Sequence, residues 1–158
     1  MADSTIEAIH RLQAAGVKVL ICTGRAPSQM HVVLDTMPVT FDGVVAFNGQ
    51  YCFDDTGFFA SQALDTADIE VILDWLDRHP DVVCNFGEKD YVYFNQSNDL
   101  LRATWSKLGK TAPTRYFEDP RTRALDHETF QISPFVGPEL EAELVGLCSN
   151  CLLYTSPS

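Results

Sequence analysis

The fold is decided by the stretch VKVLICTGR, which occupies residues 17–25. Its first six residues are almost wholly apolar and rich in β-branched side chains, which is typical of a strand buried on both faces. The last three, Thr23, Gly24 and Arg25, end the apolar run with a hydroxyl, a flexible turn residue and a cation. The pattern therefore predicts a buried strand followed at once by a polar turn.

The elements on either side of this stretch predict how the strand pairs. Ser4-Thr5-Ile6-Glu7 has the form of a capping box, so we expect a helix that starts there and ends at Gly16. Pro27 suits the first turn of a second helix that runs to about Met37. Val44–Phe47 forms another apolar run. This alternation of strand and helix predicts parallel pairing and an α/β core.

The organisation changes near Leu64. Residues 1–63 predict the partial parallel sheet of a Rossmann-like core, which ends in a hairpin around Asp54–Gly57. Residues 64–150 predict a more antiparallel α+β unit, in which Pro134 confines its strand to a sheet edge. The helices of this second unit are expected to start at Asp65 and Pro138, with a further helical stripe from Leu100 to Leu108.

Residues 151–158 are not expected to be natural sequence. The codons TGT CTC TTA TAC ACA TCT CCG AGC translate to this octapeptide and resemble a transposase adapter used to prepare sequencing libraries. We therefore treat the tail as derived from an adapter and exclude it from the fold.

Composition and charge exclude several classes of function. The chain has 158 residues, of which 46% are apolar, and its 22 acidic residues outnumber 11 basic ones for a net charge of −11. Such a chain repels phosphate backbones and anionic lipids, which disfavours a nucleic-acid or membrane-surface role. Five irregularly spaced cysteines indicate reduced thiols, and we expect a cytoplasmic protein in which Cys22, Cys52 and Cys84 are buried. The four histidines have no partner at ligand spacing, so no metal site is predicted.

The turn after the first strand has the residue types that bind phosphate. Open α/β sheets bind ligands at the carboxyl ends of their strands, where Thr23 stands. The Thr23 hydroxyl, backbone N–H groups near Gly24 and the start of the next helix would all donate to a phosphoryl group. Arg25 would add a bidentate contact.

Together with Phe47-Asn48-Gly49, these residues resemble the haloacid dehalogenase superfamily, and most closely its Cof-like branch of phosphatases. The resemblance covers essentially residues 3–150. It implies that Thr23 is the phosphoryl-binding residue of the second superfamily motif. It also implies that Gly24, Arg25, Asn48 and Gly49 bind substrate, and that residues 64–150 belong to an inserted α/β cap.

The resemblance further implies a Mg²⁺-dependent phosphohydrolase that acts on a sugar phosphate or other small phosphorylated metabolite through an aspartyl-phosphate. The family's Asp-x-Asp-Gly-Thr nucleophile motif does not occur in these residues, nor do the third and fourth motifs. We therefore expect an inactive internal fragment that lacks the Mg²⁺ ligands. We also expect poor solubility, since a missing first strand would leave an unpaired sheet edge.

Two other classes of function compete with this interpretation. A strand–turn–helix with a glycine also begins nucleotide-binding folds, so Thr23-Gly24-Arg25 would suit a non-catalytic nucleotide- or phosphate-binding module. No Gly-rich fingerprint of such modules is present. A purely structural interaction domain has no positive sequence feature in its favour.

Overall fold

Residues 1–108 and 118–147 are described by a computed structural model. Helix α1 (Asp3–Ala14) begins after Ala2, whose carbonyl accepts the Thr5 N–H at 3.0 Å. The predicted capping box is wrong, because Ser4 already lies within the helix and no side chain caps its start. The predicted end is confirmed, since Gly16 takes a left-handed φ of +80° that suits glycine.

The first sheet has the strand order β1-β2-β3-β4. Strands β1 (Leu20–Cys22) and β2 (Gly43–Ala46) pair in parallel, as predicted. Strands β3 (Tyr51–Asp54) and β4 (Gly57–Ser61) then form the predicted antiparallel hairpin. One parallel pair within a mixed sheet confirms the α/β fold class.

The link between β1 and β2 differs from the single helix that we predicted. It contains a 3₁₀ turn (Pro27–Gln29) and a four-residue helix, α2 (His31–Leu34). The Thr36 hydroxyl donates to the Val33 carbonyl at 2.8 Å. Such side-chain bonds, together with β-branched residues, disfavour continuation of a helix.

Strand β1 lies at one edge of the described sheet and is not buried on both faces. Leu20 is 41% exposed. Cys22 is exposed as well, which corrects our expectation of a buried thiol, whereas Cys52 and Cys84 are buried as predicted. A strand with one described neighbour has only part of its surface covered.

The second sheet is wholly antiparallel, with strand β5 (Cys84–Glu88) between β6 (Val92–Phe94) and β7 (Thr129–Pro134). Helices α3 (Thr66–Arg78) and α5 (Pro138–Leu147) pack on one face through a core that includes Trp75, Phe86, Tyr93, Ile132 and Leu144. Helix α4 (Asp99–Leu108) packs elsewhere, through a separate cluster of Leu101, Val83 and Phe94. Pro134 ends an edge strand, as predicted.

The two sheets contact each other through the rings of Tyr51 in β3 and Phe130 in β7, whose centroids are 5.4 Å apart, and segments beside the strands add hydrogen bonds. The Leu64 N–H donates to the Thr129 carbonyl at 2.8 Å, and the Ser28 N–H donates to the Lys89 carbonyl at 3.3 Å. The domain boundary after residue 63 stays a prediction, and residues 151–158 lie outside the described part. No helix in the described ranges is long and apolar enough to cross a membrane.

Candidate functional site

The ends of β1 and β2 bring two polar segments together. Beyond the strand ladder, the Thr23 N–H donates to the Val45 carbonyl at 2.9 Å, and the Asn48 N–H donates to the Thr23 carbonyl at 2.9 Å. The Phe47 N–H donates to the Arg25 carbonyl at 3.1 Å. Residues 23–25 and 47–49 therefore form one hydrogen-bonded unit at the carboxyl edge of the parallel pair, where open α/β sheets bind ligands.

The Thr23 side chain is held by its own turn. Its Oγ1 accepts the Arg25 N–H at 3.1 Å. A hydroxyl has one proton to donate and two lone pairs, so this bond leaves the Thr23 proton able to reach a ligand oxygen. Thr23 is half-buried, and both of its backbone polar groups are bonded to β2 or the residues that follow it.

Gly24 allows the Asn48 side chain to approach closely. A Cβ at Gly24 would lie 3.2 Å from Asn48 Oδ1 and 3.4 Å from its Nδ2. Asn48 and Gly49 both have left-handed backbones, with φ of +56° and +110°. Asparagine tolerates this region and glycine favours it. The five residues predicted from the sequence (Thr23, Gly24, Arg25, Asn48 and Gly49) thus lie in one unit.

The segment after Arg25 offers fewer backbone donors than we predicted. The expected helix start is only the 3₁₀ turn Pro27–Gln29, and the Ser28 N–H already donates to the Lys89 carbonyl. The site therefore has no helix N-terminus. Of the anion-binding donors that the sequence predicted, only those of the Thr23 turn and its neighbours remain.

Sequence reasoning missed the position of Phe47. We predicted it as the last residue of a strand, but its φ is +48° and the residue is only 3% exposed, buried between the two sheets. The ring stacks on Phe130 with centroids 5.6 Å apart. The following Asn-Gly pair signals a turn, but no local pattern indicates a ring that reaches the second sheet.

The opposite end of β1 is anchored by a charged cluster. Asp42 accepts the Val19 N–H at 2.9 Å and contacts Lys18 Nζ at 3.0 Å and Gln13 Nε2 at 3.3 Å. These donors, the Val19 amide foremost, lower the pKa of the Asp42 carboxyl to about 2. Asp42 ties α1, β1 and β2 together, which makes it a structural residue.

The resemblance implies a Mg²⁺ ion, but residues 1–108 and 118–147 do not provide a set of ligands that fits it. No group of three or more His, Cys, Asp or Glu side chains there is placed to hold a metal. Asp54 Oδ1 accepts the Thr56 N–H at 2.8 Å and its hydroxyl at 2.6 Å, as expected of a hairpin turn. We therefore derive no chemical step through a metal.

Comparison with known families decides the identity of this fold. The family model for haloacid dehalogenase-like hydrolases matches residues 1–143. The chain belongs to this family. The predicted membership of the haloacid dehalogenase superfamily is thereby confirmed.

Solved structures agree with this assignment of the haloacid dehalogenase-like fold. A subclass IIB sugar phosphatase of the superfamily is 24% identical with a TM-score of 0.78, over 96% of this chain and 57% of that one. A superfamily phosphatase from Bacteroides thetaiotaomicron is 24% identical with a TM-score of 0.74, over 93% of this chain and 53% of that one. A protein from Thermotoga maritima is 17% identical with a TM-score of 0.70, over 95% of this chain and 55% of that one.

This haloacid dehalogenase-like chain spans little more than half the length of those structures. At these identities the likeness concerns the fold. A search of curated proteins finds no match.

Proposed function

We propose that this chain is part of a phosphohydrolase that acts on a small phosphorylated metabolite, such as a sugar phosphate. The observation that carries the proposal is the Thr23 turn. Its hydroxyl oxygen accepts the Arg25 N–H at 3.1 Å, and its backbone is held at the end of a parallel strand. In this arrangement the Thr23 hydroxyl donates its proton to a phosphoryl oxygen, a bond strengthened by the negative charge of the acceptor.

The neighbouring residues complete the proposed phosphate site. Arg25 supplies a cation with planar N–H donors suited to phosphate. The Asn48 amide, which lies over Gly24, donates from the second segment, and Gly49 keeps the approach free of a side chain. Net charge supports a small ligand over a nucleic acid, because a chain of charge −11 repels an extended phosphate backbone.

Cellular location follows from the thiols. Cys22, Cys52 and Cys84 are free in the structure. Free thiols are typical of reducing compartments, so we propose a cytoplasmic protein.

Phosphate binding is tested with inorganic phosphate and amide NMR spectra of the 158-residue chain. We expect phosphate to shift the amide resonances of residues 23–25 and 48–49. Thr23→Val, which removes the hydroxyl but keeps the shape, should weaken binding about tenfold or more, because a hydrogen bond to a charged group is lost. The matched control is Thr36→Val, whose hydroxyl bonds only the Val33 carbonyl. Equal affinities of the wild type and Thr23→Val would overturn the proposal.

The chain of 158 residues is proposed to bind phosphate without hydrolysing phosphomonoesters. Reaction through an aspartyl-phosphate needs a carboxylate that bonds to phosphorus while the ester oxygen leaves with a proton from a second carboxyl group. The family's Asp-x-Asp-Gly-Thr motif does not occur in the sequence. We expect no turnover of p-nitrophenyl phosphate by the purified chain, with or without added Mg²⁺. Measurable turnover that Thr23→Val reduces would show that a nucleophile is present in these residues.

A further inference from the structure

A buried aromatic side chain connects the candidate site to the second sheet. The Phe47 ring stacks on Phe130 of β7, with the ring planes 11° apart. On another side it lies against Gly87 of β5. A Cβ at Gly87 would be 2.5 Å from Phe47 Cε1 and 3.0 Å from its Cζ, distances at which the ring or the strand must move.

The backbone of Phe47 is in a conformation that its own residue type disfavours. Its φ of +48° is the first of three consecutive positive values, ahead of Asn48 at +56° and Gly49 at +110°. Asparagine and glycine enter the left-handed region readily, but a residue with a large side chain does so only where its surroundings require it. At Phe47 those surroundings are the ring contacts with Gly87 and Phe130.

The same backbone supplies contacts that shape the site. The Phe47 N–H bonds the Arg25 carbonyl and the Asn48 N–H bonds the Thr23 carbonyl. The Asn48 side chain lies beside Gly24, where an added Cβ would be 3.2 Å from Asn48 Oδ1. A contiguous set of contacts therefore leads from β5, through the Phe47 ring, to the Thr23 turn.

We propose that Phe47 is a positioning residue, held by Gly87 and Phe130, through which the second sheet sets the geometry of the site. The ring keeps residues 47–49 in their left-handed conformation. That conformation places the backbone N–H of Asn48 against the Thr23 carbonyl. The effect on ligand binding rests on the proposed phosphate site, whereas the effect on the conformation of the site does not.

The direct test is Gly87→Ala in the 158-residue chain, with Gly137→Ala as the matched control. A Cβ at Gly137 meets nothing within 4 Å. We expect Gly87→Ala to shift the ligand-free amide resonances of Thr23, Arg25, Asn48 and Gly49, which lie outside the second sheet. Gly137→Ala should leave these resonances in place. If the shifts of Gly87→Ala are confined to residues 84–94 and 129–134, the contact is only packing and the proposal is overturned.

Two further variants keep the test decisive if Gly87→Ala does not fold. Phe130→Leu removes the stacking partner without a clash and should move the same four resonances. Phe47→Leu combined with Gly87→Ala replaces the ring atoms that the added methyl meets, so it should fold better than Gly87→Ala. A double variant no better than the single one, or unmoved site resonances in Phe130→Leu, contradicts the proposal.

Phosphate affinity separates this inference from the proposed function. We expect Gly87→Ala or Phe130→Leu to weaken binding of inorganic phosphate about three- to tenfold, and Gly137→Ala to leave it unchanged. If the wild-type chain binds no phosphate, the proposed function fails, yet the ligand-free resonances still decide the positioning role. If phosphate binds and neither variant alters its affinity, the functional part of the inference is wrong.

Discussion

At the scale of single residues, the candidate site depends on residues that are small or that readily adopt a left-handed backbone. These residues allow two segments of the chain to approach each other. Gly24 admits the Asn48 side chain, and Asn48 and Gly49 adopt positive φ angles. Phe47 adopts such an angle although its type disfavours it, at a cost of about 1–3 kcal/mol that the fold must offset. Local strain of this kind concentrates where function requires a defined geometry.

Gly24→Ala should separate ligand binding from stability. The backbone of Gly24 is not left-handed, so alanine fits it, and the free energy of unfolding should stay within about 1 kcal/mol of wild type. The added methyl would stand 3.2 Å from Asn48 Oδ1 and push that amide aside, so phosphate affinity should fall. Urea denaturation and phosphate titration measure the two effects. Unchanged affinity in a folded variant would show that Asn48 does not contact phosphate.

Asp42 predicts a pH dependence of stability. Hydrogen bonds from the Val19 amide, Lys18 and Gln13 hold its pKa at about 2 in the folded protein, below the ordinary value of an aspartate. The carboxylate therefore contributes stability above about pH 4, and this contribution is lost as the pH falls toward 2. Asp42→Asn should lower the free energy of unfolding at pH 6 and flatten its decline below pH 4, measured by urea denaturation at several pH values. Asp74→Asn, on the exposed face of α3, should follow the wild-type curve.

At the scale of elements, a charged pair attaches the connection before β7 to strand β5. Arg123 lies in the 3₁₀ segment Arg121–Leu125 and donates to both oxygens of Glu88, at 2.6 and 2.9 Å. Glu88 is buried at 8% exposure, and the guanidinium also lies over the ring of Tyr91, 4.8 Å from its centroid. Burial and a 2.6 Å hydrogen bond to Asp119 raise the pKa of the Tyr91 hydroxyl to about 12. The connection is thus held by polar contacts rather than by regular structure.

Arg123→Gln should be strongly destabilising. It leaves the buried Glu88 carboxylate without its cation, which costs roughly 2–4 kcal/mol for a largely buried pair. Arg102→Gln is the control, since Arg102 pairs with the fully exposed Asp99 and such pairs contribute about 1 kcal/mol or less. Urea denaturation of both variants gives the comparison. Equal losses would mean that the Glu88–Arg123 pair is no stronger than a surface pair.

At the scale of the whole molecule, two sheets of different topology share one interface. The parallel pair belongs to the first sheet, while the second sheet is antiparallel and carries α3 and α5 on one of its faces. Apolar side chains remain exposed at the outer strands of the first sheet, among them Leu20 and Phe58, the latter 67% exposed. The expected poor solubility of the chain stays a prediction, and these side chains are the surface that would cause it.

Added Mg²⁺ should not stabilise this chain. A ligand that binds the folded state raises the midpoint of thermal unfolding with its concentration. The described residues present no cluster of carboxylates, histidines or cysteines able to hold a metal. We therefore expect the same Tm in millimolar Mg²⁺ and in EDTA, with inorganic phosphate as the positive control. A Tm that rises with Mg²⁺ would reveal a site outside that part of the chain.

Local patterns in the sequence determine most elements of this protein. The start of α3 after Asp65, its apolar stripe and the Asp54–Gly57 hairpin follow from short-range rules. The alternation of strands and helices along the chain predicts the parallel pairing of β1 with β2. The five candidate site residues are likewise predicted from their places after two apolar runs. These features depend on near neighbours in the chain, so the sequence alone specifies them.

Only the tertiary structure decides which surfaces meet. It exposes Cys22, because β1 lies at a described sheet edge, and it shortens the helix after Pro27. It also carries the Phe47 ring to Gly87 and Phe130, 40 and 83 residues further along the chain. Burial and strained backbone arise from contacts between distant segments, and no pattern within a few residues records such contacts.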